Sequence, residues 1–206
     1  MLHLYDNLDS GNGYKIRLLL AQLGLPYGWT DLDIFHGATR TPEFLARNPN
    51  GRIPTLQLED GSYLAESNAI LWYLAEGSAL VPTDRAGRAR ALQWMFFEQY
   101  SHEPYVATPR YIVRHLPPDS PRRAELPDRL ARGRQALAVM ETHLGPRSFF
   151  VTERYSIADI ALYAYTHVAD QGGHDLAPYP AVRGWLGRVA AQPGHVPITF
   201  VPPPGA

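Results

Sequence analysis

The pattern of apolar residues changes near residue 82, and this change limits the folds that the chain can adopt. Before it, short alternating runs and helical runs follow one another, whereas only helical periods follow Pro82-Thr83. The 206 residues are enough for two small domains. We therefore predict an α/β domain over residues 1–80 and an all-α helical bundle over residues 84–200.

The first domain alternates between the two kinds of period. Strand patterns lie at 2–5, 27–33, 55–58 and 62–64, and helical patterns lie at 14–23, from 41 onward and at 67–76. Glu59-Asp60-Gly61 separates the last two strands and predicts a hairpin. The resulting order is typical of a compact domain with a mixed sheet.

The second domain reads as helices throughout. The predicted helices lie at 84–113, 121–144, 156–168 and 179–191. The last ten residues contain four prolines and are either an ordered tail or a loose end.

Composition excludes several classes of function. There is no cysteine, so disulfides, cysteine metal sites and a cysteine nucleophile are excluded, and any sulfur chemistry must use a sulfur of the substrate. The net charge of −1 and the lack of a basic stripe argue against nucleic acid as a partner. The eight histidines form no metal-binding motif, so we expect no metal. No apolar run has membrane-spanning length and no signal-peptide pattern is present, so we expect no membrane association and a cytoplasmic location.

Two short motifs in the first domain suggest a peptide-like ligand. A cis bond at Ile53-Pro54 would present the main-chain N–H and C=O of Ile53 outward, where an extended peptide could pair with both. Ser67 lies at a predicted helix start, which favours a carboxylate, and Glu66 offers acceptors for an ammonium group. The simpler alternative is that Asn-Pro-Asn-Gly is an ordinary turn and Ser67 only a helix cap.

The segments "NPNGRIPTL" and "ESNAILWYL", together with the later "SIADIALYAY", resemble the glutathione transferase family. The resemblance extends from Leu2 to about Ala191. It implies a thioredoxin-like N-terminal domain, an all-helical C-terminal domain, glutathione as co-substrate, a homodimer and a role in detoxification. In the third segment, Ser156 would be the N-cap and Asp159 would reach back to it, as in a capping box.

The resemblance also implies roles for individual residues. The cysteinyl backbone of glutathione would pair with Ile53 beside Pro54, its γ-glutamyl carboxylate would meet Ser67, and its ammonium would meet Glu66. The glycine carboxylate needs a cation. The candidates there are Arg40 first, then His36 and Arg52, with Asn50 lining the same groove.

The glutathione thiol needs a donor that stabilises its thiolate. Family members use Tyr, Ser or Cys near the end of the first strand, and this chain offers Tyr5 and Ser10. The segment "DSGNGYKIRLLL" resembles bacterial members with a Ser or Thr and a nearby Asn in that turn. We favour Ser10, with Asn12 as a second donor, because both precede the helix whose N-terminus favours an anion. Tyr5 lies inside the strand and is the alternative.

The resemblance implies that the electrophile pocket lies between the domains, with Tyr105, Arg110 and Tyr111 as candidates. The implied function is a glutathione transferase that attacks a hydrophobic electrophile. One alternative is a glutathione-dependent disulfide reductase that uses no protein cysteine. The other is a non-enzymatic interaction module with the same fold.

Overall fold

The computed structural model describes residues 1–202, and the prolines at 203 and 204 of the predicted tail lie outside this range. The chain divides into two compact units. The first contains Met1–Ser78 and residues 193–202, and the second contains Ala79–Gln192. Residues 193–200 were assigned to the helical domain from the sequence, but in the structure they belong to the first unit.

The first unit is built on a four-stranded sheet with the order β2-β1-β3-β4. The strands are β1 (Leu2–Asp6), β2 (Tyr27–Asp31), β3 (Thr55–Gln57) and β4 (Tyr63–Ala65). β1 pairs in parallel with β2 and antiparallel with β3, and β3 forms the predicted hairpin with β4. Because side chains alternate along a strand, Leu4 and Asp6 face one side of the sheet and Tyr5 faces the other.

Three α-helices accompany this sheet: α1 (Gly11–Leu23), α2 (Pro42–Arg47) and α3 (Ser67–Ala75). α1 begins three residues before the predicted start because Ser10 caps it, and it ends at Gly24, which has a left-handed φ of 64°. α2 begins as predicted, with Thr41 as N-cap and Pro42 in the first turn.

The second unit is helical. Its α-helices are α4 (Arg85–Phe97), α5 (Glu103–His115), α6 (Leu126–Leu144), α7 (Ile157–Thr166) and α8 (Pro180–Ala190). In the described part of the chain, no helix combines the length and the apolar character needed to cross a membrane. The thioredoxin-like N-terminal unit and the all-helical C-terminal unit are the predicted fold class.

The predicted single helix at 84–113 is not continuous. A π-helical turn at Glu98–His102 separates α4 from α5, and Pro104 lies in the first turn of α5. Proline has no N–H to donate, and its ring clashes with the carbonyl four residues earlier in a continuous α-helix. The wider π turn accommodates Pro104 without ending the helical path.

The predicted capping box of α7 is confirmed. One oxygen of Asp159 accepts hydrogen bonds from the main-chain N–H and the hydroxyl of Ser156, both at 2.9 Å. The other oxygen accepts from the N–H of Phe150 at 3.1 Å and from Nε1 of Trp185 at 2.9 Å. Asp159 is fully buried, so it joins α7 to α8 and to the preceding loop inside the second unit.

A second proline in α5 leaves one main-chain carbonyl without its helical donor, and His174 donates to that carbonyl instead. Pro109 lies inside α5 and cannot donate to the carbonyl of Tyr105, four residues earlier. Nε2 of His174 donates to that carbonyl at 2.9 Å instead. The imidazole is buried, and its Nδ1 has no hydrogen-bond partner within residues 1–202. The neutral imidazole therefore suits this place, and burial lowers the pKa of His174.

This arrangement predicts that His174 makes stability depend on pH. Its folded-state pKa is below the unfolded value of about 6.5, so its contribution is fully present above that pH and is lost as pH falls through the folded-state pKa. His174→Gln keeps an N–H donor but does not titrate. Between about pH 8 and about pH 5, the free energy of unfolding should fall more in the wild type than in this variant. Urea denaturation at both pH values measures the difference, and equal losses would contradict the prediction.

Candidate functional site

The loop between β1 and α1 ends at Ser10, which caps the helix. Oγ of Ser10 accepts a hydrogen bond from the N–H of Gly13 at 3.2 Å. A hydroxyl has two acceptor lone pairs and one proton, so the Ser10 proton can still be donated to a further group. The positive end of the α1 dipole lies at the same place. The half-buried Ser10 can therefore act as a donor to an anion.

A directional chain of hydrogen bonds joins the start of α1 to the start of α3. Nζ of Lys15 donates to Oγ of Ser67 at 3.2 Å, and this hydroxyl donates to Oδ1 of Asn12 at 3.2 Å. Lys15 is fully buried and Ser67 is 6% exposed. The amide oxygen of Asn12 is thus directed to Ser67. Two helix N-termini and one buried ammonium group lie together, which is a favourable place for anions.

Glu66 has the backbone conformation that stands out most in this unit. Its φ of 66° is the only positive φ of a non-glycine residue in the described chain. Its side chain is exposed and forms no hydrogen bond or ion pair with any described residue. Positive φ values cost free energy for ordinary residues and concentrate at binding sites. The turn therefore presents a free carboxylate directly before Ser67.

The segment before β3 is held by Asn48. Its Nδ2 donates to the carbonyl of Arg52 at 2.8 Å and to Oγ1 of Thr55 at 3.1 Å. The peptide bond between Ile53 and Pro54 is cis. The N–H and C=O of Ile53 have no hydrogen-bond partner among residues 1–202. An unpaired donor and acceptor on one half-buried residue can pair with an added peptide.

The three cationic residues predicted to bind the glycine carboxylate have different surroundings. Nη1 of Arg40 donates to the carbonyl of Asn50 at 3.1 Å, which brings this exposed guanidinium to the loop before Ile53. Arg52 is exposed on the same loop. Nδ1 of His36 instead lies 2.6 Å from the carboxylate of Asp33.

Tyr5 lies on the sheet face opposite Asp6. Its ring contacts those of Phe44 and Tyr63, each with centroids 6.4 Å away, and the guanidinium of Arg47 lies 4.5 Å from its centroid. Because Asp6 faces α1, Tyr5 faces away from that helix. The structure therefore places Tyr5 in an aromatic cluster and Ser10 at the helix start.

The three candidates for the electrophile pocket have separate neighbours within the second unit. The hydroxyl of Tyr105 accepts from Arg132 at 3.2 Å. Arg110 is 5% exposed, and its Nε donates to Gln171 at 2.8 Å. Tyr111 is 38% exposed. The described residues contain no group of His, Asp or Glu side chains that could hold a metal ion.

A buried ion pair supports the loop that carries Ser10. Nε of Arg17 donates to Oδ2 of Asp6 at 3.0 Å, and both side chains are fully buried. Oδ1 of Asp6 has no hydrogen-bond partner in the described chain. Burial raises the pKa of Asp6 to about 7, although Arg17 acts in the opposite direction. A Cβ at Gly13 would lie only 1.5 Å from Oδ1 of Asp6, so this pair requires glycine there.

Comparison with known families identifies the chain. The model of the glutathione S-transferase N-terminal domain matches residues 10–76, and the model of the C-terminal domain matches residues 123–188. The chain belongs to the glutathione S-transferase family. The family predicted from the sequence motifs is therefore confirmed.

Individual relatives cover nearly the whole chain. A glutathione S-transferase structure from Pseudomonas fluorescens is 53% identical, with a TM-score of 0.93, and the match covers 97% of this chain and 99% of that one. A Burkholderia graminis glutathione transferase with two glutathione molecules bound per subunit is 30% identical, with a TM-score of 0.81, covering 94% and 85%. The Escherichia coli disulfide-bond oxidoreductase YfcG is 32% identical, covering 94% of this chain and 92% of the relative.

Sequence reasoning missed three residues that shape this candidate site: Lys15, Arg17 and Asn48. Lys15 and Arg17 are cations inside the apolar run of α1, and charged residues are seldom fully buried unless they are paired. That anomaly was a usable signal. In the sequence, Asn48 is only the first residue of the Asn-Pro-Asn-Gly turn motif. No neighbouring residue indicates that its side chain holds the segment before β3.

The contact between Gly13 and Asp6 predicts a sharp difference between two glycine substitutions. Gly13→Ala should lower the free energy of unfolding by about 1–3 kcal/mol or more, because the new methyl group overlaps a buried carboxylate. Gly187→Ala in α8 is the matched control, since a Cβ there meets nothing within 4 Å. It should raise stability by about 0.5–1 kcal/mol, as alanine favours helix. Urea denaturation of both variants tests this, and equal effects would count against the contact.

Proposed function

We propose that this chain binds glutathione in its first unit and activates the thiol for attack on an electrophilic small molecule. The observation that carries the proposal is the hydrogen bond between Ser67 and Asn12, which brings the starts of α3 and α1 together. Glutathione has a carboxylate at its γ-glutamyl end and forms a thiolate when it reacts. Two neighbouring helix N-termini suit these two anions. The bound glutathione of the Burkholderia graminis relative supports the same co-substrate.

The γ-glutamyl end fits the start of α3. Its carboxylate would bind at Ser67, close to the ammonium of Lys15, and its own ammonium would bind the carboxylate of Glu66. The cysteinyl main chain would pair with the N–H and C=O of Ile53 beside Pro54. Each of these protein groups is complementary in charge or in hydrogen bonding to the part of glutathione that it would bind.

The glycine carboxylate requires a cation on the loop before Ile53. Arg40 is the first candidate because it already reaches the carbonyl of Asn50 on that loop. Arg52 is the second. His36 is less suitable because its ring bonds the Asp33 carboxylate.

Thiol activation is assigned to Ser10. Its hydroxyl proton can point to the sulfur while its oxygen accepts from Gly13. A donor and a helix dipole both stabilise a thiolate over a thiol, and so lower the thiol pKa. Asn12 would act mainly by holding Ser67, although a direct contribution to the sulfur stays a prediction.

Disulfide reduction is the second candidate function. The relative named disulfide-bond oxidoreductase supports it, and the chain itself has no cysteine. Glutathione would then supply the sulfur that attacks a disulfide. Rates with a mixed disulfide and with an aryl halide, measured on the same preparation, separate the two reactions. Failure to bind glutathione by calorimetry would instead favour an interaction module without catalysis.

Tyr105, Arg110 and Tyr111 stay predictions for the electrophile pocket, and the detoxification role and the cytoplasmic location stay predictions as well.

We expect Ser10→Ala to raise the pKa of the bound glutathione thiol by about one to two units. Hydrogen bonds to charged groups contribute roughly 1.5–3 kcal/mol, and one pKa unit corresponds to about 1.36 kcal/mol. Activity at neutral pH should fall and partly recover at higher pH, while binding weakens less. Thiolate absorbance of the bound glutathione against pH measures the shift.

Three comparison variants make this test specific. Asp84→Ala also removes an N-cap from a 13-residue helix, since Asp84 accepts from Gly87. It should cost about 1 kcal/mol of stability without moving the thiol pKa. Tyr5→Phe should change little. If Tyr5→Phe shifts the pH profile and Ser10→Ala does not, tyrosine is the activator. If only the Ser10→Ala, Asn12→Ala double variant shifts it, Asn12 compensates.

We also propose a symmetric homodimer, because a two-fold contact is the commonest closed arrangement. An exposed apolar stripe supports this: Leu92, Phe96 and Tyr100 are spaced by four residues and are 38%, 69% and 84% exposed. Light scattering at micromolar concentration should give twice the mass of the chain. Phe96→Glu should shift the mass toward the monomer, whereas Val113→Glu, a control on α5, should not. A monomeric wild type would exclude the homodimer.

A further inference from the structure

The guanidinium of Arg17 joins three separate parts of the first unit. Besides Asp6, it contacts the loop before α1, because Nη2 donates to the carbonyl of Leu8 at 2.7 Å. Nη1 donates to the carbonyls of Ile198 at 2.8 Å and Phe200 at 2.9 Å. Those two carbonyls belong to the C-terminal tail, residues 193–202. One fully buried side chain therefore holds the end of β1, the loop and the tail.

The tail makes further contacts with α1. The hydroxyl of the buried Tyr14 donates to the carbonyl of Val196 at 2.7 Å and lies 3.4 Å from Nε2 of His195. Gly194 approaches the backbone of α1 so closely that a Cβ there would lie 3.0 Å from Cα of Gln22. The tail thus contacts α1 at several residues. Of these, Arg17 also contacts the loop before α1.

The tail carbonyls matter because the guanidinium is buried. A buried charged group is tolerated when its hydrogen-bonding atoms have partners, and an unsatisfied one is costly. Without the tail, both N–H groups of Nη1 would lose their acceptors, and the guanidinium would move toward water. The same group holds Leu8, two residues before Ser10, so this movement would loosen the loop. On the other side of the loop, the N–H of Leu8 donates to Asp31 at 3.0 Å.

We infer that the C-terminal tail and Arg17 position the Ser10 hydroxyl for thiol activation. Arg17 is a positioning residue in this scheme: it touches no substrate and acts through the carbonyl of Leu8. The inference rests on the proposed function, since it concerns how the same thiol site is kept in place. It assigns the tail a role in the chemistry of the first unit rather than in stability alone.

The first experiment removes the tail. A chain that ends at Gln192 is compared with the wild type for two properties: the pKa of bound glutathione thiol, from thiolate absorbance, and glutathione affinity, from calorimetry. We expect the thiol pKa to rise by about one unit, which is about tenfold less thiolate at neutral pH. Affinity should change much less, because Ile53, Glu66 and Ser67 are unaltered. A synthetic peptide of residues 193–202, added in trans, should restore the lower pKa.

The second experiment keeps the full chain. Arg17→Lys preserves the charge beside Asp6 but cannot donate at once to Leu8 and to the tail, so the thiol pKa should rise. Arg188→Lys is the matched control, because Arg188 also donates to a main-chain carbonyl, that of Ser148, within the second unit. It should leave the thiol pKa unchanged. Circular dichroism confirms that each variant is folded.

The outcomes separate the inference from the proposed function. A wild type that fails to bind glutathione, or that leaves its thiol pKa at the free value, refutes the proposed function and with it this inference. In the other case, the wild type lowers the thiol pKa as the proposed function requires. If a folded truncated chain or a folded Arg17→Lys chain then lowers it equally, the inference alone is refuted. If neither altered chain folds, Tyr14→Phe replaces them, since it removes only the hydroxyl that holds Val196. An unchanged thiol pKa there would also overturn the inference.

Discussion

The charged side chain of Arg17 lies in the interior of the first unit, where several parts of that unit supply hydrogen-bond acceptors for it. Burying a guanidinium removes its hydration, so each N–H group needs an acceptor in the protein. Asp6 supplies one acceptor, and main-chain carbonyls of the loop and the tail supply the others. These acceptors come from distant parts of the sequence. The end of β1, the loop before α1 and the C-terminal tail therefore all meet at this one side chain.

The ligand chemistry of the first unit comes largely from backbone geometry. Ser10 and Ser67 stand at helix starts, where free N–H groups and the helix dipole favour anions. The cation beside them, Lys15, donates a hydrogen bond to the hydroxyl of Ser67. Since the chain has no cysteine, the protein supplies a polarised surface and the co-substrate supplies the reactive sulfur. This division of roles suits both transfer to an electrophile and attack on a disulfide.

Features that depend on a few neighbouring residues were predicted from the sequence, whereas features that depend on distant residues were not. The hairpin around Glu59-Asp60-Gly61 and the capping box of Ser156 and Asp159 were predicted because turn and cap preferences act within a few residues. The break at Glu98–His102 was missed, since the helical period continues through it and the disturbance comes from Pro104. The path of the tail could not be predicted, because its proline content fits an ordered and a loose segment equally well.

The sequence by itself determined the fold class and the family, because periodicity and short motifs depend on local geometry. It also placed Ser10, Ile53, Glu66 and Ser67 as candidates. Only the tertiary structure decided which partners these residues have. The link from Ser67 to Asn12 spans 55 residues, and the link from Arg17 to Phe200 spans 183. Such contacts depend on how the buried charges and carbonyls of one unit are satisfied together, and no local pattern records that condition.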